Sequence, residues 1–478
     1  MLKRIVSFSL LVCAAFMLCL GGCAQSQSAP ASPTHISVWT YYNGDQLSAF
    51  HHLVGDFNST VGKEKGIVVE SYNLGSVNDL QDAVVDSING KVGAQPVPNI
   101  FAAYADTAYA IDQMGMLADL APYLSEEERA LYVDGYLEEG TLGGEGAIKI
   151  FPVAKSVELF IISATDFDAF AAETGASYDD LATFEGLTKT AQRYYEWTDA
   201  QTEAPNDGKA LFGRDSMANY FFIGAKQLGT SIVEVHDGVA TLDFNKATVR
   251  KLWDNYYVPF VKGYFDASAH YRSDDVKTGR IIALVGSSSG ATYFPRQVVD
   301  ENGLEREIEM KVLPAPQFEG GEAYAVQQGA GMVVVDSSPE EVEASIEFLE
   351  WFTSPERNTQ FSVLSGYLPV MKSANNMEAV HAAFEEELDD NMEQVLSVGL
   401  ATVESNTLYT PKAFEQGGAF RAVLENSLSS MAIEDAAAVK AAVAAGTSYE
   451  EALEPYLSDK YFNTWYEKTK AELEALVG

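Results

Sequence analysis

Ile36-Ser37-Val38-Trp39-Thr40-Tyr41-Tyr42-Asn43-Gly44-Asp45 decides the fold class. Its β-branched and aromatic residues read as a strand, and Asn43-Gly44-Asp45 closes that strand with turn chemistry. Directly afterwards Leu47, Phe50, Val54 and Phe57 recur at three- and four-residue spacing, the apolar face of a helix. The order then repeats. Ile67-Val68-Val69 is strand-like, and Val77, Leu80, Val84 and Ile88 mark a second helix. Pro98 to Ala103 reads as a third strand, with a helical pattern from Asp106 to Met116. Strands alternating with helices imply parallel pairing through crossover helices, the α/β class.

A second βα series opens near Phe151-Pro152. Val157 to Ile162 is strand-like, and Phe184 to Trp197 is a helix presenting Leu187, Ala191, Tyr194 and Tyr195. Arg280 to Val285 is a buried strand ending in Gly286-Ser287-Ser288-Ser289-Gly290. Pro314 and Pro316 favour an extended segment without ladder donors, so Val312 to Pro316 is expected to cross between two lobes. Ser338-Pro339-Glu340-Glu341 starts a helix, with serine cap, proline in the first turn and capping glutamate. Beyond Met371 the pattern is mostly helical, including Ala-rich Ala436 to Ala445, and no internal repeat is found.

At the N-terminus Lys3 and Arg4 precede an apolar run from Ile5 to Leu20, which ends in Leu20-Gly21-Gly22-Cys23. Basic start, short apolar run and small residues make a secretory signal. The run is shorter than the ~20 residues of a spanning helix. Leu20 to Cys23 resembles the lipobox of bacterial lipoproteins. That resemblance implies cleavage after Gly22 and a lipid on Cys23, with the Gln/Ser/Ala/Pro stretch Ala24 to Ser32 as a flexible tether. The chain is then held at the outer face of the cytoplasmic membrane by its anchor alone. The three cysteines, Cys13, Cys19 and Cys23, all lie in this segment, so no disulfide or thiolate chemistry is expected in the body.

The chain has 478 residues, enough for two or three domains at ~150 residues each. Its 31 Lys and Arg against 69 Asp and Glu give a net charge of −38, which repels phosphate backbones and argues against a nucleic-acid role. Much of that charge reads as solvated helix faces such as Glu385-Glu386-Glu387 and Asp389-Asp390.

Several stretches carry a resemblance in order along the chain. They are Trp39 to Gly44, Phe57-Asn58, Phe151-Pro152, Ser156-Val157-Glu158-Leu159-Phe160, Phe348-Leu349, Phe352-Thr353-Ser354-Pro355-Glu356 and Ser365-Gly366-Tyr367-Leu368-Pro369-Val370. Together they resemble the extracellular solute-binding proteins of ABC importers, of the carbohydrate type that includes maltodextrin and glycerol-3-phosphate binders. The resemblance implies two α/β lobes, each a mostly parallel sheet flanked by helices, hinged around a ligand cleft. The division expected is 1–22 signal, 23–32 tether, 33–153 with 315–370 as lobe I, and 154–314 with 371–478 as lobe II. The partners implied are a small polar solute and ABC permease subunits, with the chain a monomer and no cofactor or metal.

Ligands of open α/β sheets bind beyond the carboxyl ends of strands, so the strand-ending loops supply the candidates. Of Tyr41 and Tyr42 one faces the cleft and the other the core, with Tyr42 the candidate. Tyr72 and Asp106 hold equivalent positions, although Asp106 is equally placed to cap its helix. The resemblance implies ligand contacts at Ser156, at Ser288 or Ser289, and through backbone at Gly329. Tyr367 and Arg421 match a tyrosine and an arginine that hold phosphate in glycerol-3-phosphate binders. Arginine suits that task because its planar fork donates two parallel bonds. Those binders carry tryptophans where this chain reads Phe212 to Ser216, so Arg214 and Asp215 become extra cleft candidates. Tyr293 is placed to stack on ligand.

Gly286-Ser287-Ser288-Ser289-Gly290 also fits the G-x-S-x-G elbow of a hydrolase using Ser288. That reading needs an acid and then a histidine downstream, and only His381 lies beyond it. A surface-interaction lipoprotein without a small ligand is the third reading. The expectation is a binding protein, not an enzyme.

Overall fold

The computed structural model describes residues 32–142, 146–236, 238–299, 303–384 and 388–477. The signal segment, Cys23, the tether up to residue 31 and the Glu385 to Glu387 run lie outside the described residues.

Two four-stranded sheets organise the chain. The first holds Thr34–Thr40 (β1), Ile67–Asn73 (β2), Ile100–Ala103 (β3) and, from far along the sequence, Gly331–Val334, in spatial order 331–334, β3, β1, β2. The second holds Glu158–Ser163 (β4), Phe212–Arg214 (β5), Ala283–Ser287 (β6) and Met310–Pro314 (β7), in order β7, β4, β6, β5. The late strand of the first sheet, Gly331–Val334, is β8.

In the first sheet β1 pairs parallel with β2 and β3, while β8 runs antiparallel to β3. The second sheet is mixed rather than mostly parallel. β5 is parallel to β6, but β4 is antiparallel to both β6 and β7. The reason lies in how the chain arrives. β4 and β8 enter their lobes straight from a crossing segment and run away from the interlobe gap, whereas β1, β3, β5 and β6 run toward it. An entering strand therefore opposes its neighbours.

Val312 to Pro316 does not cross between lobes. It ends β7, whose residues Met310 to Pro314 pair with Ser163 to Leu159 at the sheet edge. A proline that cannot donate is tolerated on an edge strand, so the extended dipeptide completes the sheet instead. The crossings occur elsewhere. Ser156 and Gln328 exchange both backbone hydrogen bonds at 2.9 Å, and Lys155 exchanges a pair with Leu368 at 3.3 and 2.6 Å. Three segments thus run side by side, with 155–156 in the middle.

Each lobe has its own core. The first gathers Val38, Phe50, Phe57, Phe101, Phe348 and Phe352. The second gathers Phe160, Phe212, Tyr220, Trp253, Phe420 and Trp465. Phe318 belongs to that second core, and strand Tyr324–Val326 pairs with Thr407–Tyr409. Residues 315–326, expected with lobe I, therefore pack on the second lobe, because the chain returns only at 327–330. A third cluster, with Val157, Ile161, Leu284, Leu368 and Leu396, lies beside the crossing.

Local signals explain the helices that matter. In helix Pro339–Thr353 the Ser338 hydroxyl accepts from the Glu341 N–H at 3.3 Å, and Glu341 Oε2 accepts from the Ser338 N–H at 3.2 Å. Helix Gly417–Ala444 buries Phe420, Leu424, Leu428 and Ala432, one residue per turn, and so fixes where the neighbouring Arg421 emerges. Among the described residues no helix is long and apolar enough to cross a membrane.

Candidate functional site

Between the lobes lies a cavity of about 1830 Å³. Gln46 and Tyr367 line it from the first lobe, Gln328 from the crossing, and Asp215, Ser216, Ser287, Ser289, Tyr271 and Tyr293 from the second. The carboxyl ends of β5 and β6 open directly into it.

The loop after β1 splits its two tyrosines. Tyr42, the sequence candidate, is only 2% exposed and packs on Phe50 and Phe361 at 5.4 Å each. Strand alternation sends it into the core and turns Tyr41 outward instead. Tyr41 stacks near Tyr104, with ring centroids 6.5 Å apart and planes at 19°. Burial, then the nearby hydroxyls of Tyr104 and Tyr367, push the Tyr41 phenol well above its usual range. Burial does the same to Tyr367, whose hydroxyl interacts with Tyr41 and Ser289. Both phenols stay protonated and able to donate.

Tyr72 is not brought into the cavity. It sits half exposed on edge strand β2 and its hydroxyl donates to Glu70 at 3.0 Å. Asp106 starts helix Ala105–Asp112, whose cap, Tyr104, makes no side-chain hydrogen bond. Asp106 does not cap that helix from the preceding position but lies against Gly417, the first residue of the second lobe's longest helix. Burial raises the Asp106 carboxyl above its ordinary range, and the Arg421 guanidinium across the gap pulls it back in part.

Of the three serines, Ser287 and Ser289 face the cavity with their hydroxyls hydrogen-bonded at 3.2 Å. Ser288 is fully buried and its hydroxyl has no hydrogen-bond partner. Its N–H donates to Val157 at 2.8 Å, which turns its side chain inward. A nucleophilic serine needs a base within hydrogen-bond reach; His381 instead faces Glu393 at 3.3 Å. Tyr293 is 62% exposed at the cavity wall.

Ser156 is buried in the crossing, its backbone held by Gln328. Gly329 is buried beside it with φ +100°, and a Cβ there would lie 2.8 Å from the Ala154 carbonyl. Its own carbonyl accepts from Lys155 Nζ at 2.9 Å. That glycine is required by close backbone approach. Lys155, 1% exposed, is also paired with Glu139.

Arg214 does not reach the cavity. Its guanidinium is buried, donating to Glu158 Oε2 at 2.8 Å and to the Ser216 carbonyl at 2.9 Å. Two buried opposite charges at the start of β4 and the end of β5 satisfy one another. Asp215, the next residue, does line the cavity. Arg421 is partly buried; its Nη2 donates to Asn219 Oδ1 at 2.6 Å and to Ser216 Oγ at 3.3 Å.

The arrangement sets phenol, serine and amide groups and the Asp215 carboxyl on the cavity wall, with Asp106 and Arg421 facing each other from opposite lobes. Such a set both donates and accepts, which suits a ligand with many hydroxyls. Sequence reasoning missed Tyr104, Asn219, Gln328 and Tyr271. Tyr104 directly follows β3, the position already singled out after β1. Asn219 stands in the otherwise apolar Met217 to Phe222, where a polar residue demands partners.

Residues 53–386 match the family described as bacterial extracellular solute-binding protein. The chain belongs to that family. The fold is similar to several solved structures. One is the cyclic alpha-maltosyl-1,6-maltose binding protein from Arthrobacter globiformis, at 17% identity and TM-score 0.66, covering 93% of this chain and 99% of that one. Another is UgpB from Mycobacterium tuberculosis in complex with glycerophosphocholine, at 17% identity and TM-score 0.65, with the same coverage. A third is an ABC transporter solute-binding protein from Agrobacterium radiobacter K84 in complex with ribitol, at 18% identity and TM-score 0.60, covering 93% and 100%. No curated protein matches the chain.

Proposed function

We propose that this chain is the solute-capturing subunit of an ABC importer. It is held outside the cytoplasmic membrane by a lipid on Cys23 and takes a neutral sugar or polyol between its lobes. Capture favours the closed arrangement, which docks on the permease pair; the shift is set by how much better the solute binds the closed form.

The observation that carries this reading is that Arg421, bonded to the cavity-lining Ser216, lies near enough to Asp106 of the other lobe to act on its carboxyl, next to a cavity lined by tyrosine and serine hydroxyls. A sugar hydroxyl donates to a carboxylate and accepts from a guanidinium at once. A phosphate monoester would face the Asp106 carboxylate and find Arg421 already shared with Asn219 and Ser216. Neutral polyhydroxylated relatives of the fold, such as the ribitol and maltose-type binders, fit the same chemistry.

A thermal-shift panel of maltotriose, ribitol, glycerol 3-phosphate and glycerophosphocholine tests it. A solute that binds only the folded form raises the melting temperature, by an increment that grows with concentration over Kd. The neutral members are expected to do so and glycerol 3-phosphate to be silent. A response to glycerol 3-phosphate alone overturns the ligand class, and a panel silent throughout, extended to further sugars, overturns capture itself.

A further inference from the structure

The geometry points to Asn219 as the positioning residue that holds Arg421 beside the cavity-lining Ser216 and clips it to the chain crossing. The functional meaning of that clip rests on the solute-capture reading above.

Asn219 is 1% exposed on helix Met217–Gln227, and a buried amide must have its hydrogen bonds met. Each is met by a different part of the molecule. Oδ1 accepts from Arg421 at 2.6 Å. Nδ2 donates to Glu158 Oε1 at 2.9 Å and to Gln328 Oε1 at 3.0 Å. The chemistry fixes the amide's orientation. Turned over, its NH₂ would meet a guanidinium and its oxygen would meet two acceptors.

The two acceptors belong to two crossing segments. Gln328 lies in the returning segment and is bonded through its backbone to Ser156. Glu158 opens β4, two residues beyond Ser156, and is neutralised by Arg214. One side chain therefore bridges both of these segments on one side and Arg421 on the other. Moving Arg421 onto a solute pulls on the segments whose bending lets the lobes close. A contiguous, fully satisfied network is the physical form such coupling takes.

A role confined to steadying helix 217–227 would explain the burial equally well, so the test must read the crossing itself. Hydrogen exchange followed by mass spectrometry, on the full chain without ligand, does this. Asn219→Asp sets a carboxylate against Glu158 and removes both donors. Peptides covering 154–157 and 327–330 are expected to exchange roughly tenfold faster. Gln328→Met cuts only the link to the returning segment, guarding against a variant that fails to fold. It should speed 327–330 while leaving 217–227 untouched. Parent-rate exchange at the crossing in Asn219→Asp and Gln328→Met overturns the clip. No ligand enters the measurement, so a silent solute panel and a failed clip are separate results.

Discussion

Gly366 closes its helix against the backbone of Ser288 across the lobe boundary. It has φ +69°, and a Cβ built on it would lie 2.9 Å from the Ser288 carbonyl and 3.1 Å from Ser289 Cα. The neighbour is backbone, which cannot swing aside. Gly366→Ala should therefore cost about 1–3 kcal/mol, from the left-handed conformation and the crowding together. Urea unfolding reads the loss, and small-angle scattering should show the lobes wider apart. An unchanged midpoint would mean that the lobes do not meet here.

Arg421 shares its Nη2 between Asn219 and Ser216, the latter on the cavity wall. For a neutral sugar, Arg421→Ala should weaken binding by about 1 kcal/mol, roughly fivefold in Kd. For a phosphorylated solute, removing the charged partner should cost at least ~2 kcal/mol. Titration calorimetry on the ligand found by the panel separates the two.

Asp106 carries a carboxyl raised above its ordinary 3.8 by burial, with Arg421 opposing. Between 3.8 and the raised value the folded chain binds more protons than the unfolded one, so stability falls as pH rises through that interval. Asp106→Asn removes this titration. Its melting temperature should exceed the parent's near pH 7, with the advantage shrinking as pH falls from the raised value toward 3.8 and constant below that. An advantage that grows on acidification would contradict the burial.

Lys155 and Glu139 form an ion pair within the crossing, at 1% and 9% side-chain exposure. Lys155→Met leaves a carboxylate buried without its counter-charge and should cost about 3–5 kcal/mol. Lys155→Met with Glu139→Leu should recover most of that loss. Denaturant midpoints measure both.

Tyr271 and Tyr293 are 59% and 62% exposed on the cavity wall. Replacing either by Ala should leave stability nearly unchanged, yet weaken binding of a sugar by about 0.5–1.5 kcal/mol if its ring stacks on the solute. Equal affinity in both variants would remove the wall from the site.

The α/β alternation was legible because each strand and helix of the first lobe carries its own period, as in β1 and Leu47 to Phe57. The direction of β4 was not, since pairing sense depends on where the chain comes from and not on the residues it holds. Arg214 illustrates a similar limit. A lone arginine after a strand looks available until Glu158, distant in sequence, is folded onto it. Tyr41 and Tyr42 were a choice of strand phase, and a register one residue off reverses the answer. The serine run could be located from sequence, but which hydroxyl faces outward follows from the Ser288 N–H bonding to Val157.

Because 155–156 is hydrogen-bonded on both flanks, to 328 and to 368, the two halves are joined by a ribbon and not by a cord. A ribbon flexes about one axis and resists wringing. In the capture proposed above, whatever enters the mouth would thus meet the same opposed walls on every stroke, and selectivity would be written into the direction of travel as much as into the surfaces that meet.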